Sequence, residues 1–318
     1  MIPRRVVLIG GSGFVGSAIA NRLSASGTLV LIPTRRRSRA GHVLLLPTID
    51  VVEADVHDPA TLSRLFSGAD AVVNLVGILH SRGGDPYGPD FANAHVELPK
   101  KIVTACRAAG VRRLVHISAL GASAEGPSEY LRSKAAGEAA IRSTGSDLDW
   151  VILRPSVMFG RNDRFLNMFA DLAGLFPVLP LAGADARFQP VYVEDVAEVV
   201  VRALSTPEAA GQIYELAGPT VYTLRELVKY VCEVTGRKRA ILALPASLGA
   251  LQARLMELAP QPLMSRDNLR SMEVDNVVSG TPLPFGLTPT AVEEVVPTWL
   301  GTDGQRAFYY PFRRYARR

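Results

Sequence analysis

Val6-Val7-Leu8-Ile9-Gly10-Gly11-Ser12-Gly13-Phe14-Val15-Gly16 packs three structural instructions into eleven consecutive residues. The first four are apolar and mostly β-branched, the composition of a strand buried on both faces. The glycines end that strand in a tight turn, and a helix follows from Phe14 to about Ser26. Glycine at 10, 13 and 16 suits a sharp turn, a close backbone approach to a pyrophosphate, and close packing of helix on strand. A helix opening at such a turn aims free backbone N–H groups and the positive end of its dipole at a phosphate. Gly10, Ser12, Gly13, Phe14, Val15 and Gly16 therefore read as a cradle for a dinucleotide. The glycine spacing alone is a weak signal; its place between a strand and a helix makes it a strong one.

Outward from this turn the chain keeps alternating. Strands are expected at Leu29–Ile32, Val51–Ala54, Ala71–Val76, Leu114–Ile117 and Trp150–Leu153. Between them lie helices near Pro59–Phe66, Phe91–Ala109 and Tyr130–Ser143. That rhythm predicts an α/β fold, a doubly wound parallel sheet with helices on both faces. After Arg154-Pro155 prolines at 155, 177, 180 and 190 break the chain, and helices resume near Val196–Leu204 and Leu224–Thr235. We expect a nucleotide-binding domain over 1–155, a smaller substrate-type lobe over 156–303 that partly returns to the sheet, and a basic aromatic tail over 304–318. In the segment Pro245–Ala259, Leu248, Leu251, Leu255 and Leu258 share one helical face, and core packing is the favoured reading over binding at a membrane surface.

The second strand argues for which dinucleotide is held. An NAD site places an acid there for the ribose hydroxyls, but this chain has no Asp or Glu before Asp50. The strand runs instead into Thr34-Arg35-Arg36-Arg37, with Arg39 behind. Guanidinium groups at Arg35 and Arg36 match a 2′-phosphate in shape and charge, which favours NADP(H) over NAD(H). Asp55 and Val56, just past the third strand, are placed to meet the adenine; a plain surface carboxylate is the competing reading of Asp55.

Composition narrows the class. With 48% hydrophobic and 20% charged residues among 318, the chain is too apolar to be disordered. The formal charge is +5, and the five arginines of residues 304–318 account for the whole excess. The body is thus not a nucleic-acid binder by charge. Two distant cysteines and scattered histidines suggest neither a disulfide framework nor a metal site. Arg4-Arg5 followed by an apolar run imitates a secretory signal, but the glycine turn interrupts it, so the segment reads as the first fold element of a chain made without a cleaved signal. A cytoplasmic location is expected, with a peripheral place at the inner face of the cytoplasmic membrane as the variant.

The chemistry lies further along. Tyr130 and Lys134 stand four apart and share a helix face, and Ser118 follows the fifth strand, at the edge where parallel sheets gather their ligands. A neighbouring ammonium is expected to lower the Tyr130 phenol pKa toward the neutral range, and a serine hydroxyl can polarise a carbonyl.

Together the glycine turn, Ser118 and Tyr130-Leu131-Arg132-Ser133-Lys134 resemble the short-chain dehydrogenase/reductase superfamily in its extended, Rossmann-type form. So do Asn74-Leu75-Val76-Gly77, Asn93, Leu153-Arg154-Pro155-Ser156 and Gln189-Pro190-Val191-Tyr192-Val193. The strings Tyr130–Glu138, Leu153–Gly160, Arg187–Val193 and Tyr214-Glu215-Leu216-Ala217-Gly218-Pro219 resemble the atypical group that contains the nucleotide-binding accessory subunit of respiratory complex I and its bacterial relatives. The resemblance implies tightly held NADPH and a Tyr/Lys pair, often without turnover. It implies Lys134 on the nicotinamide ribose, Pro155 and Val157 shaping the nicotinamide pocket, and Asn74, Val76, Gly77 and Asn93 near the nucleotide. Three functions stay open: an accessory or assembly protein of complex I, an NADP-dependent reductase acting through Ser118, Tyr130 and Lys134 on a small carbonyl substrate, and, more weakly, a nucleotide-sugar epimerase or dehydratase. The tail Phe308–Arg318, with five aromatics and four arginines, suits a partner groove or an anionic membrane surface, or else packing on its own lobe.

Overall fold

The computed structural model describes residues 3–259 and 262–301, so the tail's expected role lies outside the described residues. The chain divides into two compact units. The first takes the residues up to Pro155, together with Val193–Leu216 and Leu283–Leu287; the second takes Ser156–Tyr192, Ala217–Pro282 and the residues from Thr288 on.

The first unit is built on β1 (Arg5–Ile9), β2 (Leu29–Thr34), β3 (Ile49–Glu53), β4 (Ala71–Asn74), β5 (Arg113–Ile117), β6 (Asp149–Pro155) and β7 (Gln212–Leu216). All neighbours pair in parallel, in the order β3-β2-β1-β4-β5-β6-β7. This is the expected doubly wound sheet. Its strand order reverses between β1 and β4, and ligands of such sheets gather at the carboxyl ends on either side of that point.

Strands buried on both faces need helices on both faces. Val7, Ile9, Val72, Leu114 and Ile152 pack into a core with Leu62, Leu98, Ile102 and Ile141, which come from α2 (Pro59–Phe66), α3 (Leu98–Ala109) and α4 (Glu129–Arg142). On α1 (Phe14–Ala25) and α5 (Val193–Ser205), Ile19, Leu23, Val196, Val199 and Val200 are buried, and Arg22 bridges the two helices through Glu194 and Glu198. Local chemistry sets the ends: Asp58 accepts from Ala60 and Thr61 at the start of α2, Ser128 accepts from Leu131 at the start of α4, and Gly110 closes α3 at φ 72°.

Three expectations change in detail. The helix expected over 91–109 is not uniform: Ala92–Glu97 is wound in wide, π-helical turns before α3 begins. The fourth strand stops at Asn74 rather than Val76, because the Asn74 side chain takes the Val76 N–H (3.2 Å) and turns the chain out of the ladder. The helix expected to resume near Val196 begins at Val193, which puts Asp195 inside the first turn of α5.

The second unit has its own core, with Phe159, Leu166, Phe169, Leu179, Leu181, Leu227, Val228, Val231 and Val296 at its centre. Val178–Leu181 pairs in parallel with Ala240–Ala243, which leads into the helix Ala246–Met256. Here the core-packing expectation is overturned. The helix buries its small face, Gly249 and Ala253, and a Cβ at Gly249 would lie 2.9 Å from Ala182. So close a seat admits no leucine, and Leu248, Leu251, Leu255 and Leu258 all point outward.

Candidate functional site

The glycine turn joins the carboxyl end of β1 to α1 beside the end of β4. Gly10 has φ +85°, a conformation open to glycine, and a Cβ there would press on Leu75 at 3.3 Å. Gly11 N–H donates to the Leu8 carbonyl (3.1 Å) and Gly13 N–H to the Gly10 carbonyl (3.1 Å), which closes the turn. Gly16 makes the tight joint: a Cβ on it would fall 2.5 Å from Gly11 Cα. The helix N-cap is Gly13, without a capping side chain, and the first turn holds no acid. The N–H groups of Phe14, Val15 and Gly16 thus have no capping side chain and no first-turn acid of their own helix, which fits a pyrophosphate.

Past β2 the basic loop divides by role. Arg37 Nη1 donates to the Val51 carbonyl (3.1 Å), so this guanidinium ties the loop to β3. Arg35 and Arg36 are exposed, and their head groups make no hydrogen bond among the described residues. Thr34 Oγ1, 3.4 Å from the Arg36 N–H, shapes the turn that presents them. Asp55 is also exposed, but one carboxylate oxygen accepts the His57 N–H (2.9 Å), and Val56 packs against the core.

Beneath the carboxyl ends of β4 and β5 lies a buried polar cluster. Lys134 Nζ donates to the Ile117 carbonyl (3.2 Å), and a Cβ on Gly77 would meet that ammonium at 3.2 Å. Ile78 N–H donates to His95 Nε2 (3.0 Å), so the His95 proton is on Nδ1, facing Ser133 Oγ at 2.8 Å. Ser133 in turn donates to the Tyr130 carbonyl (2.8 Å). The rings of Phe91 and His95 stack at 5.3 Å, and each meets the Tyr130 ring edge-on, at 6.0 and 5.6 Å. Asn74 Nδ2 lies 3.0 Å from His116 Nδ1, which leaves the His116 proton on Nε2. That Nε2 and the Ser118 hydroxyl are buried and have no hydrogen-bond partner among the described residues. An orphaned hydroxyl one residue past the carbonyl that holds Lys134 is what a site shaped for a polar ligand leaves when protein groups alone are counted.

Electrostatics departs from expectation. Burial pushes the Tyr130 phenol up to about 12, and it pulls the Lys134 ammonium down to about 8 against the opposing pull of Glu138. The expected lowering of the phenol is not found, since the Lys134 ammonium is 6.0 Å from the ring centroid and desolvation outweighs it. Burial also holds His95 and His116 neutral, pulled down to about 2 and about 3, with Lys134 adding to the effect.

Comparison with known proteins shows the class. A family model described as NAD dependent epimerase/dehydratase matches residues 6–217. The chain belongs to this family. The family binds a nicotinamide dinucleotide, and its match spans the glycine turn and the Tyr130/Lys134 helix alike. Among its relatives, the mitochondrial NADH dehydrogenase (ubiquinone) 1 alpha subcomplex subunit 9 of Rattus norvegicus is 34% identical over 297 residues, covering 90% of this chain and 77% of that one. A ceramide reductase of Caulobacter vibrioides is 30% identical over 243 residues, covering 76% and 73%. In three dimensions, a dTDP-glucose 4,6-dehydratase of Streptomyces venezuelae, solved with NAD and TYD bound, superposes with a TM-score of 0.71 at 21% identity over 98% of both chains.

Within this family fold, the expected residues fall into groups. The glycine turn, Gly77, Ser118 and Lys134 converge on the carboxyl edge of β1, β4 and β5, with Tyr130 held by the ring cluster. Asn74 turns into the protein, both polar ends engaged, and positions the Val76–Gly77 backbone. Asn93 is exposed on the wide-turned stretch, outside the buried cluster. Pro155 ends β6 with its carbonyl accepting from Leu120 (3.0 Å), whereas Val157 belongs to the second unit, its N–H donating to Asn276 Oδ1 (3.0 Å). Four participants escaped the sequence reading. Gly11 receives Gly16, His95 and His116 line the cluster, and Gly137, where a Cβ would fall onto the His95 carbonyl, lets α4 approach the wide turns. A glycine inside the Tyr130/Lys134 helix, one turn past the lysine, was the signal for the last of these.

Proposed function

We propose that this chain is an accessory or assembly protein of respiratory complex I that holds NADPH largely as a structural ligand. The observation that carries this reading is the 34% identity to the complex I subunit across 90% of the chain. The site supports it. With its phenol pushed up to about 12 and its ring wedged against Phe91 and His95, Tyr130 keeps its proton at neutral pH. Gly10 to Gly16 receive the pyrophosphate, Arg35 and Arg36 take the 2′-phosphate, Asp55 meets the adenine, and Lys134 holds the nicotinamide ribose. A bound dinucleotide can supply a hydride. What this chain adds is a dry, pre-shaped floor: Lys134 anchored on the Ile117 carbonyl and Gly77 leaving the space above it.

A second reading, an NADP-dependent reductase, is favoured by the buried and unpartnered Ser118 hydroxyl and by the similarity to a ceramide reductase. In it Ser118 would polarise a carbonyl and Tyr130 would give its proton to the carbonyl oxygen, the hydride being what a bound dinucleotide would supply. The test is native-gel separation of gently solubilised source membranes, with mass spectrometry for this chain and for a Tyr130→Phe variant. Co-migration of both with the large complex, nucleotide retained, is the expected result. Recovery as a small species alone, with reductase activity that Tyr130→Phe abolishes, overturns it.

A further inference from the structure

Among its described residues the second unit shows an uncovered apolar face. Helix Ala246–Met256 exposes Leu248 (51%), Leu251 (52%) and Leu255 (60%), and Leu258 (82%) continues the same line just beyond its end. The paired strands beside it add to this face. Ala240, Leu242, Val178 and Pro180 alternate outward while Leu179 and Leu181 point into the core, and Gln252 Nε2 donates to the Pro180 carbonyl (3.1 Å), tying helix to sheet. Leu175 and Phe176, at the end of the helix Leu166–Leu175, are exposed as well. A helix that buries alanine and glycine and presents three leucines, with a fourth just beyond its end, has the inverse of the arrangement a solvated helix adopts.

Charge names the occupant. No Asp or Glu occurs between Asp171 and Asp185, or between Glu233 and Glu257, the two segments that form this face. They do carry Arg237, Lys238, Arg239 and Arg254. Arg237 and Arg239 donate to the carbonyls of Ala170 and Ala173 (2.6 and 2.7 Å) at the end of the Leu166–Leu175 helix, so among the described residues Lys238 and Arg254 are the exposed and uncommitted cations of this face. Of the four bordering acids, Glu257 is engaged by Arg266, Asp185 by Arg225 and Glu233 by Lys229, and Asp171 is exposed. An acid-free combination of outward leucines and flanking cations complements an anionic lipid surface, which offers apolar chains beneath negative headgroups. A second copy packed through the same face would match the leucines but set Lys238 and Arg254 against like charges, and a purely apolar groove would leave both unmatched.

We propose that this face seats on a bilayer containing anionic lipid, with the leucines entering the acyl boundary and the cations at the headgroups. The proposal stands without the complex I reading, because it concerns the purified chain and lipid alone. The test is co-flotation of the full chain with phosphatidylcholine vesicles, with or without about 30% phosphatidylglycerol. Binding is expected on the anionic vesicles, at least about tenfold weaker on the neutral ones, and declining with added salt. Leu251→Ser combined with Leu255→Ser should cut it about fivefold or more while the circular dichroism spectrum and melting curve stay unchanged, since both side chains are exposed. A chain carrying Arg313→Ala, Arg314→Ala, Arg317→Ala and Arg318→Ala should keep about half its binding or more. Three results would overturn the proposal: no flotation on either vesicle, undiminished flotation of the leucine variant, or a dimer in sedimentation that the leucine variant dissolves.

Discussion

Arg35 and Arg36 differ from Arg37 by a single observation: the third guanidinium is spent on the Val51 carbonyl, and the first two are exposed without a partner among the described residues. If they take the 2′-phosphate, each contributes a charge-assisted hydrogen bond, whose loss typically costs tenfold or more in affinity. Arg35→Ala with Arg36→Ala should therefore weaken NADPH binding by about a hundredfold and NADH binding by less than about threefold, measured by fluorescence titration. Equal losses for both dinucleotides would refute the assignment. Lys134 shows the same logic inside the protein. Its depressed pKa comes from burial, and the ammonium persists because Ile117 offers a carbonyl and Glu138 a charge.

At the scale of elements, α4 and β6 are joined by the fork between Glu138 and Arg154, with Nε–Oε1 at 2.8 Å and Nη2–Oε2 at 2.5 Å. Glu138 is buried and Arg154 is mostly so, and one helical turn separates Glu138 from Lys134. The joint fixes the height at which α4 holds Tyr130 and Lys134 over the sheet. Breaking one side of such a pair strands the other charge. Glu138→Gln should lower unfolding free energy by about 3 kcal/mol in urea titration, and Arg154→Met added to it should recover most of that loss. A cost below about 0.5 kcal/mol for the single change would show that the fork is solvated and carries no weight.

For the whole molecule, the buried histidines set a pH dependence. Burial pulls His95 down to about 2 and His116 to about 3 in the folded protein, against 6.5 in an unfolded chain. Between those values the unfolded chain binds the extra protons, so stability falls as pH drops through 6.5 and below. Each histidine should cost about 1 kcal/mol per pH unit in that window, visible as a urea midpoint that moves down between pH 7.5 and 5. His116→Phe should flatten the slope; an unchanged slope would remove His116 from the account. Lys134 acts at the other end. Its folded value of about 8 lies below the ordinary 10.5, so the cost of burying it is relieved as pH rises through that range.

What could be read without coordinates was what depends on neighbours along the chain. Strand, turn and helix around Gly10–Gly16 follow from backbone sterics and periodicity, and so does the parallel alternation that made the doubly wound sheet legible. Tyr130 and Lys134 share a face by helical geometry alone. Tertiary structure decided what depends on burial and on residues far apart in sequence. It turned the Tyr130 phenol upward in pKa where the spacing to Lys134 suggested the opposite, because desolvation is a property of the packed site. It brought His95 from the wide turns onto Ser133, and His116 from β5 onto Asn74, pairings with no local signature. It also reversed the Leu248–Leu258 helix. Periodicity shows that leucines share a face, but which face is buried depends on the partner, and the close seat of Gly249 on Ala182 admits only the small side of that helix.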